Sequence, residues 1–194
     1  MYNVVMDYLE QTEKLYKYFE FNLEINLLRK VIDMKHNFNN DYNLIACFLK
    51  DYLVVVANKK IADSSLYDEF VLYFEKEIKL LPKEFIINEF IKYSKYYLSI
   101  VFEDFTDNDI LIAVSTVNAC FAIEYYPILM KTMDKYYSNL IDKKQFKALL
   151  DSIVDVAIKN FEEYDIVGIE PVELEQQVEL SAQTKIQIQE RLLV

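Results

Sequence analysis

Residues 142–161 read DKKQFKALLDSIVDVAIKNF. Apolar side chains recur every three or four residues here, the spacing that places them on one face of an α-helix. Asp142 and Gln145 stand three residues apart at the start, as in a capping box that closes a first helical turn. The stretch therefore predicts a long amphipathic helix, whose apolar face consists of Phe146, Leu149, Leu150, Ile153, Val154, Ala157 and Phe161.

The composition of the whole chain agrees with a helical protein. Its 194 residues include one glycine and three prolines, whereas domains rich in tight β-turns need many more of both. Hydrophobic residues make up 53% of the chain and charged residues 27%, which is typical of a globular protein. We expect a mainly α fold, a bundle of about six or seven helices.

Other helices have recognisable starts. Pro82 suits the first turn of a helix expected at 83–102. The turn FTDND at 105–109 precedes another helix, for which Thr106 is the expected N-cap and Asp109 an acidic residue of the first turn. Pro127 marks a break before a further helix through Leu140.

Residues 172–194 follow a different pattern, VELEQQVELSAQTKIQIQERLLV. Apolar residues occupy nine of the twelve even-numbered positions and one of the eleven odd-numbered positions. A period of two places these side chains on one face of a β-strand. The sequence therefore predicts a helical body at 1–166 and a C-terminal β arm at 167–194, with the interaction residues Val172, Leu174, Val178, Leu180, Ile186, Ile188 and Leu192.

A shorter alternation occurs at 19–27, where every second residue is apolar. This segment is either a second strand, which could pair with the C-terminal arm, or part of a helix that continues to Lys35. Both interpretations stay open. The predicted fold class is mainly α with a small β element, formed by the C-terminal arm and possibly by residues 19–27.

The length of the arm indicates that it needs a partner. Fully extended, 172–194 would span roughly 75 Å, whereas a body of ~165 residues is about 40 Å across. An isolated hairpin is only marginally stable. We therefore expect the arm either to pack on its own domain or to add as a strand to a neighbouring subunit.

The chain is acidic, with a formal net charge of -11. Direct binding to nucleic acid needs clustered cations, so we expect none. An acidic surface instead favours solubility or a basic protein partner. Residues 160–184 contain no lysine or arginine, and their acidic surface consists of Glu162, Glu163, Asp165, Glu170, Glu173, Glu175 and Glu179.

We find no pattern typical of a catalytic or metal site. His36 is the only histidine, which excludes sites built on a pair of histidines. A calcium loop starting at Asp104 would need glycine and glutamate where Asp109 and Ser115 stand. We therefore predict no cofactor and no enzymatic activity, although carboxylates on helices keep a Mg²⁺-dependent nucleotide hydrolase as an alternative.

Targeting signals are also missing. The first residues lack a secretory signal, and the longest apolar run, 110–123, is too short for a membrane span. Cys47 and Cys120 lack the C-x-x-C spacing of metal or redox sites. We expect a cytoplasmic protein without membrane contact, or one inside a virion assembled in the cytoplasm.

Three functions agree with these features. The first is a non-enzymatic assembly protein, such as a connector or adaptor of a phage or mobile element, which docks to neighbours through the C-terminal arm and forms homo-oligomers. The second is an acidic inhibitor or immunity protein that neutralises a basic enzyme. The third is the Mg²⁺-dependent all-α nucleotide hydrolase.

Overall fold

The structure, a computed structural model, describes residues 41–77, 80–120, 122–163 and 171–192. No β-strand occurs in these ranges, and the predicted mainly α class is confirmed. The segment 19–27 lies outside them. The described ranges contain seven α-helices: α1 (Asp41–Ala57), α2 (Leu66–Glu77), α3 (Lys83–Phe102), α4 (Asn108–Ala119), α5 (Tyr126–Tyr137), α6 (Lys143–Glu163) and α7 (Pro171–Leu192).

The chain divides into two compact units, Met1–Lys95 and Tyr96–Val194, and the boundary falls inside α3. This division differs from the predicted body at 1–166 and arm at 167–194. The difference arises because α7 packs against α6 inside the second unit.

Tyr52 of α1 is the centre of the first unit's core. Its ring centroid lies 4.5 Å from that of Phe90 and 5.5 Å from that of Tyr93, and Phe70 packs against Phe90 at 5.6 Å. The Tyr52 hydroxyl lies 3.2 Å from the Tyr73 hydroxyl. Burial raises the pKa of Tyr52 far above its ordinary value. Aromatic rings thus fill this core, which accounts for part of the 15% aromatic content.

Helix α6 is the centre of the second unit, since it packs against α4, α5 and α7. The side chains of Leu150, Ile153 and Ala157 are almost completely buried. They belong to the apolar face predicted from residues 142–161, which forms the core except at its end, where Phe161 is exposed. A buried polar contact accompanies it, because the Asn160 amide donates a hydrogen bond of 2.7 Å to the Tyr125 hydroxyl.

The starts of α6 and α4 test two predicted caps. At α6 the capping box is confirmed: the Asp142 N–H donates to Gln145 Oε1 at 3.0 Å, and the Gln145 N–H donates to Asp142 Oδ1 at 2.8 Å. At α4 the prediction of Thr106 is wrong. Asp107 is the N-cap, and its carboxylate accepts from the N–H groups of Asp109 and Ile110. A carboxylate is also favoured by the helix dipole there.

Among the residues that the structure describes, three helix ends use a left-handed residue that is not glycine: Asn58 (φ 51°), Glu103 (φ 53°) and Asn139 (φ 57°). Glycine usually takes this conformation, but the chain contains only one. The ends of α3 and α5 have the paired backbone hydrogen bonds of a Schellman motif. Glu103 is additionally held by its side chain, which accepts from Ser115 Oγ at 2.6 Å and Asn118 Nδ2 at 3.0 Å.

The predicted β arm is wrong over residues 171–192, which form helix α7. The even-numbered apolar residues contain a second spacing, because Leu174, Val178 and Ala182 follow one another at intervals of four. All three are buried. Residues four apart share one face of a helix, so this subset can anchor α7 against α6. Residues 167–170 and 193–194 lie outside the described ranges.

The other even-numbered positions explain why the alternation did not produce a strand. Val172 and Leu180 lie about 200° around the helix from their buried neighbours, and they are 36% and 68% exposed. Gln176 and Thr184 are polar and exposed on the same side. That side therefore does not need to be buried. Glutamate and glutamine favour helix over strand, and Pro171 suits a first helical turn.

Candidate functional site

A groove of about 560 Å³ lies among α4, α6 and α7, entirely within the second unit. This volume is within the range of roughly 300–1,000 Å³ that is typical of ligand pockets. The α4/α6/α7 groove is lined by Asp109, Ile112 and Ala113 of α4, by Lys147, Asp151, Val154 and Asp155 of α6, and by Lys185 of α7.

The polar side of α6 supplies most of the groove's charged groups. Lys147, Asp151 and Asp155 follow one another at intervals of four residues, so they form a stripe along the helix. All three are exposed. Because the apolar face of α6 is buried in the core, the helix is fixed in rotation and the charged stripe must face outward beside α4 and α7.

Two ion pairs connect the stripe to the neighbouring helices. Lys147 Nζ lies 3.1 Å from Asp109 Oδ1, which connects α6 to α4. Lys185 Nζ lies 2.7 Å from Asp155 Oδ2, which connects α7 to α6. Each lysine in the groove is thus paired with one carboxylate.

Asp151 lies on the stripe between the residues of these two pairs. The hydrogen bond with Asp109 and the charge of that carboxylate raise the pKa of Lys147, and Asp151 raises it further by its own charge. Asp151 makes no ion pair with any residue in the described part of the chain. The groove therefore contains three carboxylates and two ammonium groups, and one carboxylate remains unneutralised.

Aliphatic side chains form the rest of the lining. Ala113 is buried, Val154 is half-buried, and Ile112 is 65% exposed. An isoleucine so exposed on a helix whose other face is buried has an apolar surface available for contact. The groove thus combines an aliphatic surface with charged groups.

This arrangement is suited to binding. The hydrogen bond and the charge of Asp109 raise the pKa of Lys147, which keeps its ammonium group protonated and available for ion pairs. Within the described ranges, no group of three or more His, Cys, Asp or Glu side chains is arranged to hold a metal ion. The groove's ammonium, carboxylate and aliphatic groups are those that form ion pairs and apolar contacts with another molecule.

The predicted interaction residues do not share one surface. Leu174 and Val178 are buried, whereas Val172 and Leu180 are exposed. Ile186 is half-buried. The side chains of Ile188 and Leu192 lie outside the described part of the structure. A helix separates residues that a strand would have kept on one face, because residues two apart point in nearly opposite directions.

The predicted acidic surface is partly neutralised by α5. Lys131 Nζ lies 2.6 Å from Glu175 Oε2, and Lys135 Nζ lies 3.2 Å from Glu179 Oε1. Glu173 is exposed. The side chains of Glu162 and Glu163, and the whole of Asp165 and Glu170, lie outside the part of the chain that the structure describes. The lysines that pair with this surface come from a different segment of the chain, so the cation-free run 160–184 is less acidic in the folded protein than in the sequence.

Sequence reasoning missed the groove residues. The helix predicted at 142–161 places Lys147, Asp151 and Asp155 on one charged side. The sequence did not indicate which residues of other helices lie beside them. Asp109 was assigned only to a helix start, and Lys185 was assigned to a strand. Helical phasing of α7 would have been needed to place Lys185 beside α6.

Comparison with protein-family models, with curated proteins and with solved structures finds no significant match to this chain. Among the helices in the described ranges, none has both the length and the apolar character that crossing a bilayer requires.

Proposed function

We propose that this chain is a non-enzymatic interaction protein that binds a basic segment of a partner protein in the α4/α6/α7 groove. The observation that supports this is the groove's lining, in which exposed Ile112 and half-buried Val154 occur together with two ion pairs. An apolar centre with a charged rim is the usual organisation of a protein interface.

The choice of a basic partner follows from charge. The chain carries a formal net charge of -11, and the groove has one more carboxylate than ammonium groups. Two copies of this chain would repel each other at long range, whereas a basic partner would be attracted. Self-association of the chain, as in a homo-oligomeric connector, is the alternative outcome that sedimentation velocity would detect.

The route of docking differs from strand addition. Because α7 is a helix, it offers no free strand edge between 171 and 192. Contacts between helix surfaces are the alternative, as when an amphipathic segment lies in a groove between helices. We propose in addition that the protein acts in the cytoplasm, or in a phage or mobile-element assembly that forms there.

Selection of peptides from a displayed random library on the immobilised full chain tests the proposal. We expect enriched peptides to lose binding to Ile112→Asp and to keep binding to Leu72→Asp. Leu72 is a matched control, because it is 68% exposed against 65% for Ile112 and lies in the first unit. Enriched peptides that bind both variants equally, or no enrichment at all, would contradict groove binding.

Two further measurements separate the alternatives. Sedimentation velocity of the wild type and Ile112→Asp over a concentration range tests the second copy, since association that depends on Ile112 would replace the basic partner by self-association. Incubation with nucleoside triphosphates and Mg²⁺ tests the hydrolase alternative. Turnover above the rate of a buffer control would overturn the non-enzymatic assignment.

A further inference from the structure

We infer that the α4/α6/α7 groove recognises an arginine side chain, whose guanidinium group is bound by Asp151. This inference rests on the proposed function and deepens it, because it names the chemical group by which the partner is recognised. It depends on three properties of the groove: its unneutralised carboxylate, its aliphatic surface and the pairing of its lysines.

The carboxylates of the groove leave one charge to be neutralised. Lys147 is paired with Asp109 and Lys185 with Asp155, so both cations of the groove are already engaged. Asp151 and Asp155 are four residues apart on α6, where like charges repel each other. A positive group beside Asp151 would reduce this repulsion and would face no unpaired cation of the groove.

The aliphatic residues determine the shape of the cation. Ile112 and Val154 line the same groove as Asp151, so a bound cation needs an apolar part that contacts them. Arginine has this form, with a methylene stem that packs on apolar surface and a charged end that stays near water. A metal ion would lack the stem, and it would need several converging oxygen ligands.

Arginine is favoured over lysine by the arrangement of acceptors. Two further carboxylates, those of Asp109 and Asp155, line the same groove as Asp151. The planar guanidinium group has five donors in a fixed fork, which lets it contact one carboxylate with two hydrogen bonds and reach towards another. An ammonium group presents a compact charge without that geometry.

The test uses small probes and the full chain. The methyl groups of isoleucine and valine are isotopically labelled, and Nα-acetyl-arginine amide is titrated at low salt with the NMR signals of Ile112 and Val154 as readout. Nα-acetyl-citrulline amide, which has the same shape without the charge, and Nα-acetyl-lysine amide are titrated in parallel. Asp151→Asn is the test variant, and Asp68→Asn, at an exposed position of α2, is the matched control.

We expect saturable shifts with the arginine probe, little or no shift with citrulline, and binding by the lysine probe at least about threefold weaker. Asp151→Asn should weaken arginine binding at least about fivefold, and Asp68→Asn should leave it unchanged. Equal shifts with citrulline, equal binding by lysine, or unchanged binding in Asp151→Asn would each overturn the inference.

The peptide selection distinguishes this failure from failure of the proposed function. If enriched peptides require Ile112 but contain no arginine and bind Asp151→Asn as well as the wild type, groove binding stands and arginine recognition is wrong. If no peptide requires Ile112, both are wrong.

Discussion

Helices α6 and α7 are consecutive in the chain and pack against each other, yet their sequences have different periods. In α6 the apolar residues recur every three or four positions, and most of the predicted face is buried or half-buried, whereas Phe161 at its end is 47% exposed. In α7 they recur every second position, and only every fourth residue is buried. An alternating pattern can be divided into two series of positions, each spaced by four residues. It predicts a strand only when both series are apolar, and in α7 one series includes the polar residues Gln176 and Thr184.

The largest expected effect concerns α6. Ile153 is fully buried, so Ile153→Ala removes apolar contacts and leaves a cavity, which should lower the free energy of unfolding by about 2–5 kcal/mol. Ile158 on the same helix is 37% exposed, and Ile158→Ala should cost less than about 1 kcal/mol. Urea unfolding followed by far-ultraviolet circular dichroism measures both. Similar losses in the two variants would contradict the orientation of α6.

A second pair of substitutions tests the helix in α7 directly. Val178→Ala should lower the free energy of unfolding by about 1.5–3 kcal/mol, because Val178 is 1% exposed. Leu180→Ala should change it by less than about 0.5 kcal/mol, since Leu180 is 68% exposed. In a strand the two side chains would lie on the same face. Equal losses would therefore favour the extended arm over the helix.

A third prediction concerns the buried polar contact of α6, which has no counterpart among the described contacts of α7. Tyr125→Phe leaves the buried Asn160 amide without this acceptor, and should cost about 1–3 kcal/mol. Burial raises the pKa of Tyr125 to about 12, whereas an unfolded tyrosine titrates near 10.

The pH dependence follows from this difference in pKa. Below pH 10 Tyr125 is protonated in both states and its contribution to stability is complete. Between pH 10 and 12 the unfolded state loses the proton first, so stability falls as the pH rises. Tyr125→Phe should make this fall in stability shallower. Part of the fall should remain in the variant, because the pKa of Tyr52 is also raised by burial. An unchanged slope in urea unfolding at these pH values would contradict the burial of the Tyr125 hydroxyl, which is the cause of the raised pKa.

The smallest expected effect concerns the ion pairs between α5 and α7. Lys131 and Glu175 are about one fifth exposed, and such a pair contributes at most about 1 kcal/mol. A double-mutant cycle with Lys131→Met and Glu175→Gln should give a coupling energy of roughly 0.5–1 kcal/mol that decreases at 1 M salt. A coupling energy of zero at low salt would show that this ion pair does not stabilise the contact between α5 and α7.

The sequence was sufficient for the parts of the fold that local rules decide. The apolar face of α6, its capping box at Asp142 and Gln145, and the helix at 83–102 all depend on residues close together in the chain. The N-cap of α4 was displaced by one residue because Thr106 and Asp107 are both acceptable caps. Aspartate is nevertheless the stronger cap, and the helix dipole favours its carboxylate, so local chemistry was sufficient to rank the two.

The groove and the state of α7 could not be derived in the same way. Whether Leu174 or Leu180 is buried depends on which face of α7 meets α6, and that contact joins residues far apart in the chain, such as Lys185 and Asp155. The pairing of Lys131 with Glu175 and of Lys147 with Asp109 joins residues 44 and 38 positions apart. The sequence identifies the charged residues, but it does not show which lysine pairs with which carboxylate.

The left-handed helix ends have a consequence for heat resistance. A residue with a Cβ atom is strained in this conformation by roughly 1 kcal/mol, although asparagine tolerates it better than most. At the exposed Asn139, replacement by glycine should raise the melting temperature slightly. At Glu103 the same replacement should lower it, because the carboxylate that joins Ser115 and Asn118 would be lost. The same left-handed conformation can thus be replaced with a gain in stability at Asn139, whereas at Glu103 the side chain is needed for hydrogen bonds to α4.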